Sequence, residues 1–375
     1  MKILLLTRPI CPPWDEASKN FAYTLANNVR NAEIHLLTCA QLGNRVSKWK
    51  PSFQVNVVCH DIFSSPKLDF AQKFKLFKFL RKANNFDIIH SLFTPTKINS
   101  FFIKLALKNK KAKFIQTVAT LREDLYNEEN FKKILFGDRI ITYSDYAKEK
   151  LEIMGFENVK RIYPGVDLSD YCPREKNQEL MKRFETSNDD FVINFTGEYT
   201  RMGAIDDVVE SFIDLAKQHD NFHLQLALRI KNKKDAEKKQ KVIERLKESG
   251  CLEKVSFLDD GGYKMPDVYN LCDISIFPVR NMRGKFDIPL AVIEAMACGK
   301  PVIATNIERL KYFLNDSNSI LINPGDCEAL KEKILELYND PEKRAELGNA
   351  GKEYVIRNFD IMKVVKEYEE VYRNL

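Results

Sequence analysis

Short apolar runs alternate with helical stretches twice along this chain of 375 residues, and one polar break separates the two series. That rhythm leaves few folds open. Parallel strands need long crossovers, and helices in those crossovers cover both faces of the sheet. The first series predicts strands at Lys2–Thr7, Glu33–Thr38, Phe53–Val58, Asp87–His90, Lys113–Val118, Arg139–Tyr143 and Val159–Tyr163. Helical patterns fall between them at Glu16–Val29, Phe70–Ala83, Asn99–Leu107 and Tyr146–Met154. At Tyr163-Pro-Gly-Val-Asp167 the pattern stops, and a charged stretch runs from Leu168 to Asp190. The second series predicts strands at Phe191–Phe195, His223–Arg229, Val255–Leu258, Asp273–Val279, Pro301–Ala304 and Ser319–Ile322. Its helices are Ile205–Lys217, Asp235–Glu248, Pro289–Cys298 and Cys327–Tyr338, with Pro341–Asn358 and Ile361–Arg373 ending the chain. The expected fold class is α/β: two facing Rossmann-like domains with parallel sheets, residues 1–166 and 167–360. Ligands of such sheets bind beyond the carboxyl ends of the strands, so an interdomain cleft is the expected site.

Composition narrows the functions. The eight cysteines form no C-x-x-C pair and the five histidines do not cluster with them, so no zinc site is expected. Unpaired cysteines within apolar runs suit a reducing cytoplasm. No apolar run approaches the ~20 residues of a spanning helix. The chain has no Gly-x-Gly and no Walker A motif, which excludes the usual dinucleotide and P-loop fingerprints. The net charge of +6 is uneven, with residues 1–170 at +10 and the remainder at −4, so an acidic partner should meet the first half.

The most informative stretch is Asp287-Ile-Pro-Leu-Ala-Val-Ile-Glu-Ala-Met-Ala-Cys-Gly-Lys-Pro-Val302. Pro289 suits the start of a helix, Gly299 its C-terminal cap, and Pro301 stops continuation. From Pro289 to Cys298 only Glu294 is polar, and a helix apolar nearly all round is buried. A lone carboxylate there needs donors. Sugar or ribose hydroxyls supply them, and so does a protein group; both readings stand on the sequence.

The same stretch resembles the signature of glycosyltransferase family four, retaining enzymes of GT-B fold that use nucleotide sugars. Glu294-Ala-Met-Ala-Cys-Gly-Lys-Pro-Val302 matches its core. Asn85-Phe-Asp-Ile-Ile-His90, Tyr143-Ser-Asp-Tyr-Ala-Lys-Glu-Lys-Leu151 with Ile162-Tyr-Pro-Gly-Val-Asp167, and Phe195-Thr-Gly-Glu-Tyr-Thr-Arg-Met-Gly203 resemble further family segments in order. The resemblance implies a glycosyltransferase that moves a sugar from a nucleotide-diphosphate sugar to a hydroxyl of a glycan or lipid-linked acceptor. It implies retention, no metal (there is no Asp-x-Asp) and no cofactor beyond the donor itself. With no protein base evident, the leaving phosphate would deprotonate the acceptor. It also implies that the last helix, 361–375, returns to the first domain.

Departures shape the expected site. Phe286 stands where the family has a first Glu, eight positions before Glu294, and Asp287 is one place off. Asp287 is a donor-side candidate, although a plain acid at a helix N-terminus is the simpler role. Glu198 replaces the Arg that usually follows Gly197, and Met202 replaces a Lys before Gly203. Arg201 is the one cation of that loop, and it is the first candidate to stabilise the departing diphosphate; Lys285, beside the signature, is the second. Arg229, Arg283, Gly197 and Leu290 complete the donor-side set. For each cation the alternative is a solvated surface charge. On the acceptor side stand Trp14, Asp15 and Ser18 after the first strand, and Thr120 where the family often has His after Thr-Val. Trp14 would stack on a sugar ring or simply pack. A catalytically impaired binding or partner protein of the same fold remains the second reading, because several family residues are absent.

Residues 70–82 pattern as a helix with Phe70, Phe74 and Phe77 on one face and Lys75, Lys78 and Lys82 on another. They fit peripheral contact with an anionic membrane; the plainer reading is a helix packed on its sheet with a solvated basic face. No nucleic-acid partner is expected.

Overall fold

The computed structural model describes residues 1–12, 16–39, 53–259 and 261–375. Among these, the chain divides into two compact units, Met1–Gly165 with Ile361–Leu375, and Val166–Asp360. The first unit holds β1 (Lys2–Leu6), α1 (Ala17–Asn28), β2 (Glu33–Thr38), β3 (Val57–Asp61), α2 (Phe70–Lys82), β4 (Ile88–Ser91), α3 (Lys97–Leu107), β5 (Lys113–Val118), α4 (Glu128–Ile134), β6 (Arg139–Thr142), α5 (Asp145–Ile153) and β7 (Val159–Arg161). The second holds α6 (Gln178–Arg183), β8 (Phe191–Glu198), α7 (Ile205–Ala216), β9 (Phe222–Arg229), α8 (Lys233–Glu248), β10 (Val255–Phe257), α9 (Met265–Leu271), β11 (Ile274–Phe277), α10 (Leu290–Ala297), β12 (Val302–Thr305), α11 (Glu308–Lys311), β13 (Ile320–Ile322), α12 (Cys327–Asn339) and α13 (Pro341–Asn358). The last helix, α14 (Ile361–Arg373), belongs to the first unit.

Both sheets are parallel, in the orders β3-β2-β1-β4-β5-β6-β7 and β10-β9-β8-β11-β12-β13. The central strand β1 is apolar from Ile3 to Leu6, all fully buried, because helices cover both faces. In each sheet the chain runs outward one way, then crosses to the other side. The crossings leave switch points between β1 and β4 and between β8 and β11, the places where such sheets open a crevice for ligands.

The return of α14 has a clear local cause. Its buried residues Ile361, Val364, Val365, Tyr368, Val371 and Tyr372 recur at helical spacing and make one apolar face. Gly165 makes room for it: a Cβ there would lie 2.5 Å from Ile361 Cδ1 and 2.9 Å from its Cα. The Glu369 carboxylate then accepts from the backbone N–H groups of Arg30 (2.7 Å) and Asn31 (3.0 Å) just beyond α1.

Three segments differ from the sequence reading. The third strand begins at Val57 rather than Phe53, because Asn56 turns its amide onto the carbonyls of Val29 and Ala32 at 2.7 and 3.0 Å. The charged stretch after Leu168 is not all linker. Asn177 caps α6, whose Leu180 and Met181 join Phe184, Leu258 and Val268 in a buried cluster. α2 packs on its sheet through Gln72, Leu76 and Leu80 with its lysines in solvent, as the plainer reading has it, but Phe70 and Phe74 face solvent as well.

Candidate active site

β8 and β9 pair in register to their last residues, which sets Glu198 opposite Arg229 at the carboxyl end of the second sheet. The following turn folds back tightly. Gly197 packs against the Met202 side chain, whose terminal methyl would lie 2.8 Å from a Cβ there. Arg201 returns over Glu198 and grips it with two bonds, Nε to Oε2 at 2.8 Å and Nη2 to Oε1 at 2.9 Å. Arg229 Nη2 and Lys285 Nζ each approach Oε1 at 3.1 Å, and Lys231 Nζ at 3.3 Å. Lys285 comes from the loop between β11 and α10, so the cluster spans the β8/β11 switch point.

One carboxylate therefore holds four cations, and it is nearly enclosed, with 5% of its side chain exposed. Burial alone would raise its pKa. The charges of Lys285, Lys231 and Arg201 outweigh burial and hold it at about 2. Burial pulls the Lys285 ammonium down to about 8 against the attraction of Glu198. Both stay charged at neutral pH, and the cluster keeps an excess of positive charge. Such fixed cations at a strand-end crevice stabilise an anion without reorganising.

Glu294 lies in α10, among the buried Val292, Ile293, Ala295, Met296 and Ala297, and is itself only partly covered. Gly299 ends this helix at φ +73°, a conformation that costs glycine little, with its N–H on Met296 O at 2.9 Å. Tyr269 Oη donates to Glu294 Oε2 at 3.1 Å, and Tyr171 also hydrogen-bonds the carboxyl. Burial pushes Glu294 up to about 7, opposed by those two hydroxyls and by the charge of Arg229. Arg229 thus acts on both carboxylates, and the Tyr269 hydroxyl also hydrogen-bonds Thr196, two residues before Glu198.

Residues 176–354 match the family described as Glycosyl transferases group 1. Over 94% of its length the chain is 25% identical to an uncharacterized glycosyltransferase of Methanocaldococcus jannaschii, covering 92% of that protein. Over 92% it is 23% identical to N-acetyl-alpha-D-glucosaminyl L-malate synthase of Bacillus anthracis, covering 89%. The chain carries a glycosyltransferase group 1 domain. Its two parallel-sheet, Rossmann-like units have the GT-B fold. The crystal structure of Anabaena HepE in complex with UDP and glucose superposes with a TM-score of 0.78 at 16% identity, each chain covered in full.

The remaining sequence candidates fall in different places. Asp287 is fully buried and accepts from Arg309 Nη1 at 3.0 Å. Pro289, not Asp287, stands at the N-cap of α10. Both roles considered for Asp287, donor contact and helix-end acid, give way to a buried ion pair beneath the signature loop, because its side chain has no surface left for a ligand. Leu290 opens α10 and is partly exposed. Arg283 is exposed in the turn before Lys285, with its backbone N–H on Asn281 Oδ1 at 3.1 Å; no contact with Glu198 is among its described bonds. Ser18 sits half-buried in the first turn of α1, and Thr120 is buried after β5, both in the first unit. Trp14 and Asp15 lie outside the described residues. Among the described residues, no group of three or more His, Cys, Asp and Glu is placed to hold a metal.

Sequence reasoning missed the roles of Glu198, Lys231, Tyr171 and Tyr269. Glu198 was visible as a reversal of charge at a family Arg position. The missing step was electrostatic: cations predicted at neighbouring strand ends repel one another unless an anion joins them.

Proposed function

We propose that the Val166–Asp360 unit binds the diphosphate of a nucleotide sugar at the Glu198-centred cations, and that the chain transfers the sugar to a hydroxyl acceptor with retention. The observation that carries this is the meeting of Arg201, Arg229, Lys231 and Lys285 at the β8/β11 switch point, on a carboxylate that leaves positive charge in excess. In the transition state the departing nucleoside diphosphate gains negative charge. Arg201 and Lys285 are the residues we assign to meet it, in place of a metal ion. The leaving phosphate takes the acceptor proton, because among the described residues the carboxylate beside the cations, Glu198, is held ionised and saturated with donors. Glu294 accepts from a donor hydroxyl. The UDP bound in the Anabaena neighbour supports a uridine nucleotide as the first to test.

The test is a thermal-shift panel of UDP, GDP, ADP and their sugars, followed by nucleotide release with candidate acceptors. A nucleotide at 100 times its Kd should stabilise the fold by about 2.7 kcal/mol. Arg201→Ala should weaken nucleoside diphosphate about tenfold to a hundredfold and free nucleoside far less, since each charged hydrogen bond contributes ~1.5–3 kcal/mol. A panel in which no nucleotide raises the melting temperature sinks the donor assignment. Binding without any sugar release would leave a binding protein of the same fold.

A further inference from the structure

Helices α2 and α3 of the first unit carry a surface that neither the core nor the donor site uses. Outside the buried residues of α2, Phe70 is 83% and Phe74 51% exposed. On α3, Ser100, Ile103 and Ala106 are buried while Ile98, Phe101, Phe102 and Leu105 are exposed. Helical spacing puts Phe70, Phe74 and Phe77 along one line of α2 and Ile98, Phe101 or Phe102, and Leu105 along one line of α3. The Phe77 and Phe102 rings meet edge to face, centroids 5.9 Å apart, and join the two lines into one patch. Single exposed apolar side chains are ordinary, but a contiguous patch of this kind marks an interaction surface.

Its charge is as one-sided as its apolarity. From Phe70 to Lys113 the chain has eleven Lys and Arg and a single acid, Asp87, which is tied to the backbone N–H of Lys2 at 2.7 Å. Lys73, Lys75, Lys78, Arg81, Lys97 and Lys104 are exposed on the two helices. The Lys78 ammonium rests 4.6 Å from the centre of the Phe74 ring, so charge and aromatic surface are presented together.

We propose that the α2–α3 face docks on an anionic lipid bilayer, its phenylalanines entering the headgroup boundary and its lysines meeting the headgroups. The partner has to supply both negative charge and an apolar phase over a broad face. A bilayer supplies both; a second copy of this chain would set the same positive charge against itself. Among the described residues no helix is long and apolar enough to cross a membrane, so the contact is interfacial. The proposal stands on the first unit alone and does not depend on the donor assignment.

The experiment is co-sedimentation of the full chain with vesicles of phosphatidylcholine plus phosphatidylglycerol, and with pure phosphatidylcholine. Binding is expected to the mixed vesicles, weakly or not at all to the neutral ones. Salt should reduce it without abolishing it. The variant Phe74→Ser, Phe101→Ser, Phe102→Ser should lose at least roughly tenfold in partitioning. Lys73→Gln, Lys78→Gln, Lys104→Gln should lose roughly fivefold per lysine. All six residues are exposed, so melting should be unchanged, and each variant checks the other. No sedimentation with either vesicle overturns the proposal. So does unchanged binding by the serine variant. A dimer in sedimentation velocity that the serine variant abolishes would assign the patch to a second copy instead.

Discussion

At the centre of the first sheet, His90 on β4 is fully enclosed, with Thr117 Oγ1 2.7 Å from Nε2 and Tyr372 Oη 2.8 Å from Nδ1. At the centre of the second, Glu198 at the end of β8 is nearly as enclosed but touches four cations. Burial pushes the imidazole down to about 3, so it is neutral. Burial also acts against the Glu198 carboxylate, yet its neighbours hold it at about 2, so it is charged. Burial alone therefore does not decide ionisation in this molecule; the count of opposite charges within reach does. The first switch point is built from neutral hydrogen bonds that tie α14 to its sheet. The second is built from charge and is suited to an anion.

The sharpest way to break this contrast is acid. The folded pKa of His90 is depressed below its ordinary 6.5, so the unfolded chain binds the proton more readily. Its stabilisation is complete above pH 6.5 and is lost progressively as pH falls from there toward 3. At about 1.4 kcal/mol per pKa unit, this is the largest expected effect, about 5 kcal/mol. His90→Gln keeps a donor and an acceptor but cannot titrate. It should melt earlier at neutral pH and show a flatter acid limb. An acid limb identical to that of the unaltered chain would mean that other groups govern acid unfolding.

Glu198→Gln tests the charged side. The Glu198 pKa is depressed from 4.5, so its stabilisation is present above pH 4.5 and lost as pH falls toward 2. The amide should cost about 3 kcal/mol at neutral pH and remove that lower acid window. It should also tighten nucleoside diphosphate binding, because four cations then lack their resident anion. Looser diphosphate binding with an intact fold would show instead that Glu198 positions the cations more than it competes for them.

The two sites were unequally legible before the structure. The parallel α/β class followed from the alternation of apolar runs, because buried parallel strands such as Ile3–Leu6 are apolar on both faces. The cations Arg201, Arg229 and Lys285 could be put near strand ends by counting residues. Their convergence on one carboxylate could not, because it depends on the β8/β9 register and on Lys285 reaching across the switch point. Which stripe of α2 meets the sheet was not legible for a related reason. Its phenylalanines and its Leu76–Leu80 pair both recur at helical spacing, so periodicity alone could not say which stripe met the sheet. Asp287 failed because its partner, Arg309, is 22 residues away and no local pattern marks it.

Glu294→Gln is the smallest and most discriminating change, since Glu294 lies between the two extremes: enclosed enough to be pushed up to about 7, close enough to Arg229 to feel its charge. Its folded pKa is raised above 4.5, so the sign is opposite to that of Glu198. The protonated form is favoured in the fold. That stabilisation is full below pH 4.5 and is lost as pH rises through about 7. An amide imitates the protonated acid. Relative to the unaltered chain, Glu294→Gln should therefore be near neutral for stability in acid and stabilising above pH 7, by about 2 kcal/mol after allowance for partial exposure. Ligand binding supplies the second measurement. If the carboxylate accepts from a donor hydroxyl, nucleotide-sugar affinity should fall about tenfold, most steeply above pH 7 where the unaltered group is ionised. Normal affinity combined with the stabilised alkaline limb would leave Glu294 as the partner of Tyr269 and Tyr171 alone, and the donor hydroxyl would need another acceptor.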